Sequence, residues 1–206
     1  MRPLRLSGLV AASDSLARSS GAGAPSSSPA GSSAAGTAEA ASQPVGSACA
    51  QVPATGPGSF AGMATEPVGT AALSNPLLST LVAAVQKANL VDTLNSTPDI
   101  TVLAPANPAF QALPPDALNA VLNDTPRLTA VLTHHVIPGR LAPAQLAGQH
   151  TTVANDAVTI AGSGTSFTIS GDQTLSGQPA TVVCGNVQTA NATVYVIDQV
   201  LKPAKG

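Results

Sequence analysis

Few side chains in this chain can do acid–base, nucleophilic or metal chemistry, and they are widely spaced. There are three histidines, His134, His135 and His150, and two cysteines, Cys49 and Cys184. His134 and His135 are neighbours, so on a helix or a strand their rings point in different directions. His150 stands well apart, without the H-x-x-x-H or H-x-H spacing that brings two imidazoles to one zinc ion. The acids Asp92, Asp99, Asp116 and Asp124 occupy cap or turn positions singly, and no pair is placed for general acid–base work. No G-x-S-x-G elbow, P-loop or G-x-G-x-x-G turn is present, and Gly162-Ser163-Gly164 reads as a hairpin turn between two strands. The expectation is a non-enzymatic chain without metal or other cofactor. The cysteines leave two readings open: two unrelated thiols, or one disulfide.

Composition narrows the partners. The chain has 206 residues, 44% of them hydrophobic, yet only 9% are charged and 2% aromatic. Ordinary soluble domains carry about 25% charge, so Ser, Thr, Asn, Gln and Ala must build much of this surface. Eight basic residues against ten acidic ones, spread over the whole length, exclude a phosphate-backbone binder. With no Trp, one Tyr and three Phe there is also no platform for stacking single-stranded bases. No apolar run is long enough to span a membrane.

The first 18 residues resemble a degenerate leader. Arg2 and Arg5 supply a positive start, but the apolar stretch Leu6 to Ala12 is short and stops at Asp14. Arg18-Ser19 follow Leu16-Ala17 where a lipoprotein signal has a small residue and a cysteine, so lipidation is not expected. Residues 19–47 are a linker. Of the 28 residues from Ser19 to Gly46, 24 are Ser, Ala, Gly or Pro, and only Glu39 is charged. Such a segment buries too little to offset the cost of ordering its backbone, and is expected to be a disordered tether. Residues 48–206 form the single domain.

Within it, helical signals come first. Ser74-Asn75-Pro76 is a cap with Pro at the first helical position, and Leu77, Leu78, Leu81, Val82, Val85 and Ala88 follow at helical spacing. Further helices are expected from Pro115 and, after Asp124-Thr125, from Pro126. Strand signals follow: Val158 to Ile160, Phe167 to Ile169, Thr181 to Val183 and Thr193 to Ile197, with an earlier strand from Ile100 to Ala104. Segregated helices and strands predict an α+β fold, with helices packed on a small β-sandwich or wedge.

Two of these segments carry a family pattern. Thr101-Val102-Leu103-Ala104-Pro105-Ala106-Asn107-Pro108-Ala109-Phe110 resembles the first signature of the fasciclin (FAS1) domain, T-x-F-A-P-T-N-x-A-F. Thr193 to Leu201 resembles the closing signature, and Leu132-Thr133-His134-His135-Val136-Ile137 stands in the place of the Tyr-His motif. The order and separation of the three motifs match the family over roughly residues 60–203. Gly58 to Met63, Leu90 to Asn95 and Val183-Cys184-Gly185 further resemble the secreted immunogenic fasciclin-domain proteins of mycobacteria. His134 stands in the Tyr position, and Leu103 and Ala106 replace the usual Phe and Thr.

The resemblance implies a secreted or cell-surface binding or adhesion module for an extracellular protein or carbohydrate, monomeric, with His134, His135 and Val136 as the candidate partner-binding region. A carrier of a small apolar or lipid ligand is the alternative, and would need an apolar concavity. Thr101, Asn107, Phe110, His135 and Asp198 are the expected structural network. In it, Asn107 caps the turn that carries Phe110 inward, and His135 bridges to Thr101 and Asp198. An even cysteine count in an exported chain, together with the resemblance, predicts a Cys49–Cys184 disulfide. Three N-x-S/T triplets, at Asn95, Asn123 and Asn191, are of a kind that arises by chance in so Ser- and Thr-rich a chain, and their glycosylation depends on the host.

Overall fold

Helices come first in the chain and strands last, in the order the pattern predicts. The computed structural model describes residues 43–204. The leader-like segment of 1–18 and the linker up to Ser42 lie outside the described residues. Inside the stretch expected to be linker, Val45 and Gly185 exchange backbone hydrogen bonds of 2.9 and 2.6 Å. Asn186 Nδ2 adds a bond to the Gln43 carbonyl at 3.0 Å. The cause is covalent: Cys49, in a 3-10 turn over Ser47–Gln51, is bonded to Cys184.

Among the described residues four α-helices precede the first strand: α1 (Phe60–Ala64), α2 (Val68–Leu73), α3 (Ser79–Lys87) and α4 (Val91–Ser96). Asn75 caps as expected, its side chain accepting from Leu77 N–H at 3.0 Å. It opens only a 3-10 turn over Pro76–Leu78, however, and the α-helix starts afresh at Ser79. After β1 (Ile100–Pro105) come α5 (Asn107–Gln111), α6 (Pro115–Asn123) and α7 (Thr125–His134). The Asp124 carboxylate caps α7 by accepting from Arg127 N–H at 3.1 Å.

Then follow β2 (Val136–Pro138), α8 (Pro143–Leu146), β3 (Gly148–Thr151), β4 (Ala157–Ser163), β5 (Ser166–Ile169), β6 (Ala180–Gln188) and β7 (Ala192–Ile197). The strands form one sheet in the order β2-β1-β7-β6-β5-β4-β3. Among the described residues only β1 and β7 run parallel; every other pair is antiparallel. A bond from Val153 N–H to the Val136 carbonyl, 2.8 Å, joins the chain beyond β3 to β2. The fold class is therefore α+β, with the sheet curled towards closure.

Alternation along the central strands builds two cores. Ile100, Val102 and Ala104 of β1 and Ala192, Val194 and Val196 of β7 pack with the helices. Leu103, Tyr195 and Ile197 face the other way, onto Ile160, Phe167 and Ile169. Both strands are buried on both faces, which explains their near-continuous apolar runs. Tyr195 is fully buried and donates its hydroxyl to the Leu141 carbonyl at 2.9 Å, and burial pushes its pKa up. The backbone of β6 passes close over the ring: a Cβ at Gly185 would lie 2.7 Å from Tyr195 Cδ1.

Candidate functional site

The two signature segments are β1 and β7, in register from Thr101 opposite Thr193 to Pro105 opposite Ile197. Thr101 is fully buried; its hydroxyl donates to the Gly139 carbonyl at 2.7 Å and accepts from Leu141 N–H at 2.8 Å. It thus fixes the loop after β2. Asn107 does not cap the turn that carries Phe110. Its Oδ1 accepts from Thr80 N–H at 3.0 Å and from the Ser79 hydroxyl at 3.2 Å, while Nδ2 donates to the Pro76 carbonyl at 2.9 Å. Asn107 is therefore a cap supplied from outside α3, and the reason that helix restarts at Ser79. Phe110 is buried in the helical core.

His135 links the two signatures, through partners other than Thr101 and Asp198. Leu201 N–H donates to its Nε2 at 3.0 Å, so Nε2 is unprotonated and Nδ1 carries the proton given to the Val131 carbonyl at 2.7 Å. The His135 carbonyl accepts from Leu103 N–H at 2.8 Å. As the C-cap of α7, His135 has the Val131 carbonyl one turn back within reach of its ring, and the same carbonyl also accepts from the His135 N–H at 3.3 Å. Burial pushes its pKa from 6.5 down to about 4; the bond to Val131 opposes this and the neighbouring His134 adds to it. Asp198 serves elsewhere, its carboxylate accepting from Thr181 N–H at 2.6 Å where β6 begins.

The region named as partner-binding is inside the protein. His134, His135 and Val136 are 1%, 2% and 6% exposed. His134 Nδ1 lies 2.5 Å from Asp156 Oδ1, the same oxygen that accepts from the Thr152 hydroxyl, and Asp156 Oδ2 accepts from Ala204 N–H at 2.9 Å. Burial drives the Asp156 carboxyl upward, but the bonds from Thr152, His134 and Ala204 outweigh it and hold the pKa below the usual value. His150 bonds the Leu146 carbonyl at 3.0 Å, away from this network. Among the described residues no three His, Cys, Asp or Glu side chains converge as a metal site.

Three side chains are anchors whose role the sequence did not disclose. Arg140 donates to the carbonyls of Thr189 and Ala192, closing the β6–β7 turn. Asn95 Oδ1 accepts from Gly69 N–H at 2.9 Å and Thr70 N–H at 3.3 Å. Asn191 does most: Oδ1 accepts from Val68 N–H at 2.8 Å, and Nδ2 reaches the carbonyls of Leu94, Asn95 and Thr97 at 2.7, 3.3 and 2.8 Å. Asn95 and Asn191, which the sequence presents as N-x-S/T triplets, thus tie helices to one another and to the sheet. Substituting Asn191 by Ala should strand these groups and cost about 2 kcal/mol, read as a lower urea midpoint; an unchanged midpoint would refute the anchoring role.

Between helices and sheet lies a cavity of about 110 Å³. Val68 and Ala71 of α2, Val85 of α3 and Leu94 of α4 line it from the helices, and Val102 and Val194 from the sheet. Two exposed large hydrophobic side chains, Leu73 at 47% and Val153 at 45%, also belong to its lining, so it reaches the surface.

Comparison with known proteins agrees with this architecture. The Fasciclin domain family model matches residues 76–203. The cell surface glycolipoprotein MPB83 of Mycobacterium bovis is 43% identical over 174 residues, covering 81% of this chain and 75% of that protein. The immunogenic protein MPB70 of the same species is 44% identical over 172 residues, covering 80% and 84%. Among solved structures, a FAS1 domain pair from the insect cell adhesion molecule Fasciclin I is similar with a TM-score of 0.55 at 17% identity, covering 68% of this chain and 52% of that one. This chain thus spans about half of the domain pair. With its signature segments paired as the parallel strands β1 and β7 and this family match across them, the chain belongs to the fasciclin-domain family.

Proposed function

We propose that the chain is a secreted or cell-surface module that acts by binding an extracellular protein or carbohydrate, and not by catalysis. The observation that carries this reading is the Cys49–Cys184 bond at the base of the tether. Disulfides persist in oxidising compartments, and this one fastens the end of a Ser/Ala/Gly-rich linker to the sheet. A linker of that composition gives a displayed domain reach. The buried polar side chains of the signature network are engaged in internal bonds that hold elements together, so recognition falls to the exposed surface. Two relatives are named for the cell surface and for immunogenicity, which supports the same location.

The test uses the full oxidised chain coupled to beads and passed over arrays of extracellular proteins and glycans. Retention on one class, abolished by reducing the disulfide, is the expected result. No retention above uncoated beads on any surface would sink the binding reading. Antibody against the folded domain should label intact cells of the native host; labelling only after permeabilisation would overturn the location.

A further inference from the structure

We propose that the cavity between the helices and the sheet is a binding site for one unbranched alkyl chain, such as a lipid acyl tail inserted end first with its polar head left at the opening. This goes beyond the surface-binding role and does not depend on it.

The walls name the ligand class. No Lys, Arg, Asp or Glu lines the cavity, so a charged group inside would go unpaired. No Phe, Tyr or Trp lines it either, and the ring in its wall is the His135 imidazole. The polar side chains of the wall are engaged with the protein. Thr97 bonds the Thr93 carbonyl, Thr133 that of Thr129, and Thr189 that of Ala192. Both His135 nitrogens are taken, and Asn75 caps Leu77 while its amide faces Met63 Sδ at 3.7 Å. Thr93, exposed at the rim, stands apart from this set. A sugar or peptide would therefore forfeit its hydrogen bonds inside, whereas a saturated hydrocarbon loses none.

Size and opening agree with a chain segment. Apolar cavities of about 150 Å³ stay dry and take up small hydrocarbons; this one holds about 110 Å³ and opens beside Leu73 and Val153. Exposed apolar side chains scattered singly need no explanation. Here both belong to the cavity lining, so its apolar wall reaches the surface, as a hydrocarbon entering from water would require.

The experiment titrates the full chain with n-alkanols from butanol to dodecanol and follows Leu, Val and Ile methyl signals by NMR. Saturable shifts should appear at Val85, Leu94 and Val194. The Kd should fall about four-fold per added methylene and level off once the chain outgrows the cavity. Hexanol should bind more tightly than benzyl alcohol. Leu73→Arg, at the exposed rim, should weaken decanol at least ten-fold with the methyl spectrum otherwise preserved. Ala72→Leu, which narrows the wall, should do the same. Absence of saturable shifts, an affinity indifferent to chain length, or undiminished binding by Leu73→Arg would each overturn the proposal. None of these outcomes bears on bead retention, so the two readings fail separately.

Discussion

Reduction of Cys49–Cys184 should lower stability by about 4–5 kcal/mol, the upper figure for opening a closed loop of more than about 100 residues. The bond closes a sequence separation of 135 residues, so it removes much of the freedom of the unfolded chain. It also acts locally. It holds the Ser47–Gln51 turn against β6, and with it the Val45–Gly185 pairing and the Val52 side chain that lines the cavity. Cys49→Ser should reproduce the fall in urea midpoint seen on reduction. Cys184→Ser should fall at least as far, since Cys184 is fully buried and the hydroxyl would need a partner there. The double variant should add little, because either change opens the same loop. Native, non-reduced protein should show no alkylatable thiol; two reactive thiols would sink both this prediction and the case for export.

Acidification should destabilise the domain between about pH 6.5 and pH 4, and His135 is the cause. Its folded pKa, about 4, lies below the ordinary value of 6.5. Within that window the unfolded chain binds a proton that the folded one refuses. Stability is therefore complete above pH 6.5 and falls as pH drops, by about 1.4 kcal/mol per unit and about 3 kcal/mol across the window. The atomic reason is specific. A proton on Nε2 would point at Leu201 N–H, also a donor, with the His134 ring close by at 6.3 Å between centroids. Asp156 extends the trend to lower pH, since its carboxyl is held below the usual value and its contribution is lost as pH falls through it. His135→Gln should lower the midpoint at pH 7 yet flatten its dependence between pH 6.5 and 4. An unchanged slope in that variant would remove His135 from the explanation.

What could be read from residues alone was the local grammar. The caps at Asn75 and Asp124, the α+β order, and β1 and β7 as buried strands all rest on interactions within a few residues or on alternation along one strand. The short edge strands were not legible. β2 has only three residues directly after α7, and β3 is Gly-Gln-His-Thr with no apolar alternation; both exist because neighbours offer them a ladder. Even Val45, inside the stretch expected to be linker, pairs with a partner far away in sequence, Gly185.

The same division runs through the site. That His135 sits on an apolar face follows from its spacing to Leu128 and Leu132, and that it would need two hydrogen-bond partners follows from its chemistry. Which partners it takes depends on α7 ending there, with the Val131 carbonyl one turn back, and on the chain after β7 bringing Leu201 alongside. Asn107 caps a helix that begins 28 residues before it, and Asn191 ties down carbonyls more than 90 residues away. A polar side chain announces that it must be satisfied but not by whom, because the distances that satisfy it exist only after the helices have packed on the sheet. The cavity is the extreme case: each of its apolar residues reads as ordinary core, and the space between them belongs to the packing alone.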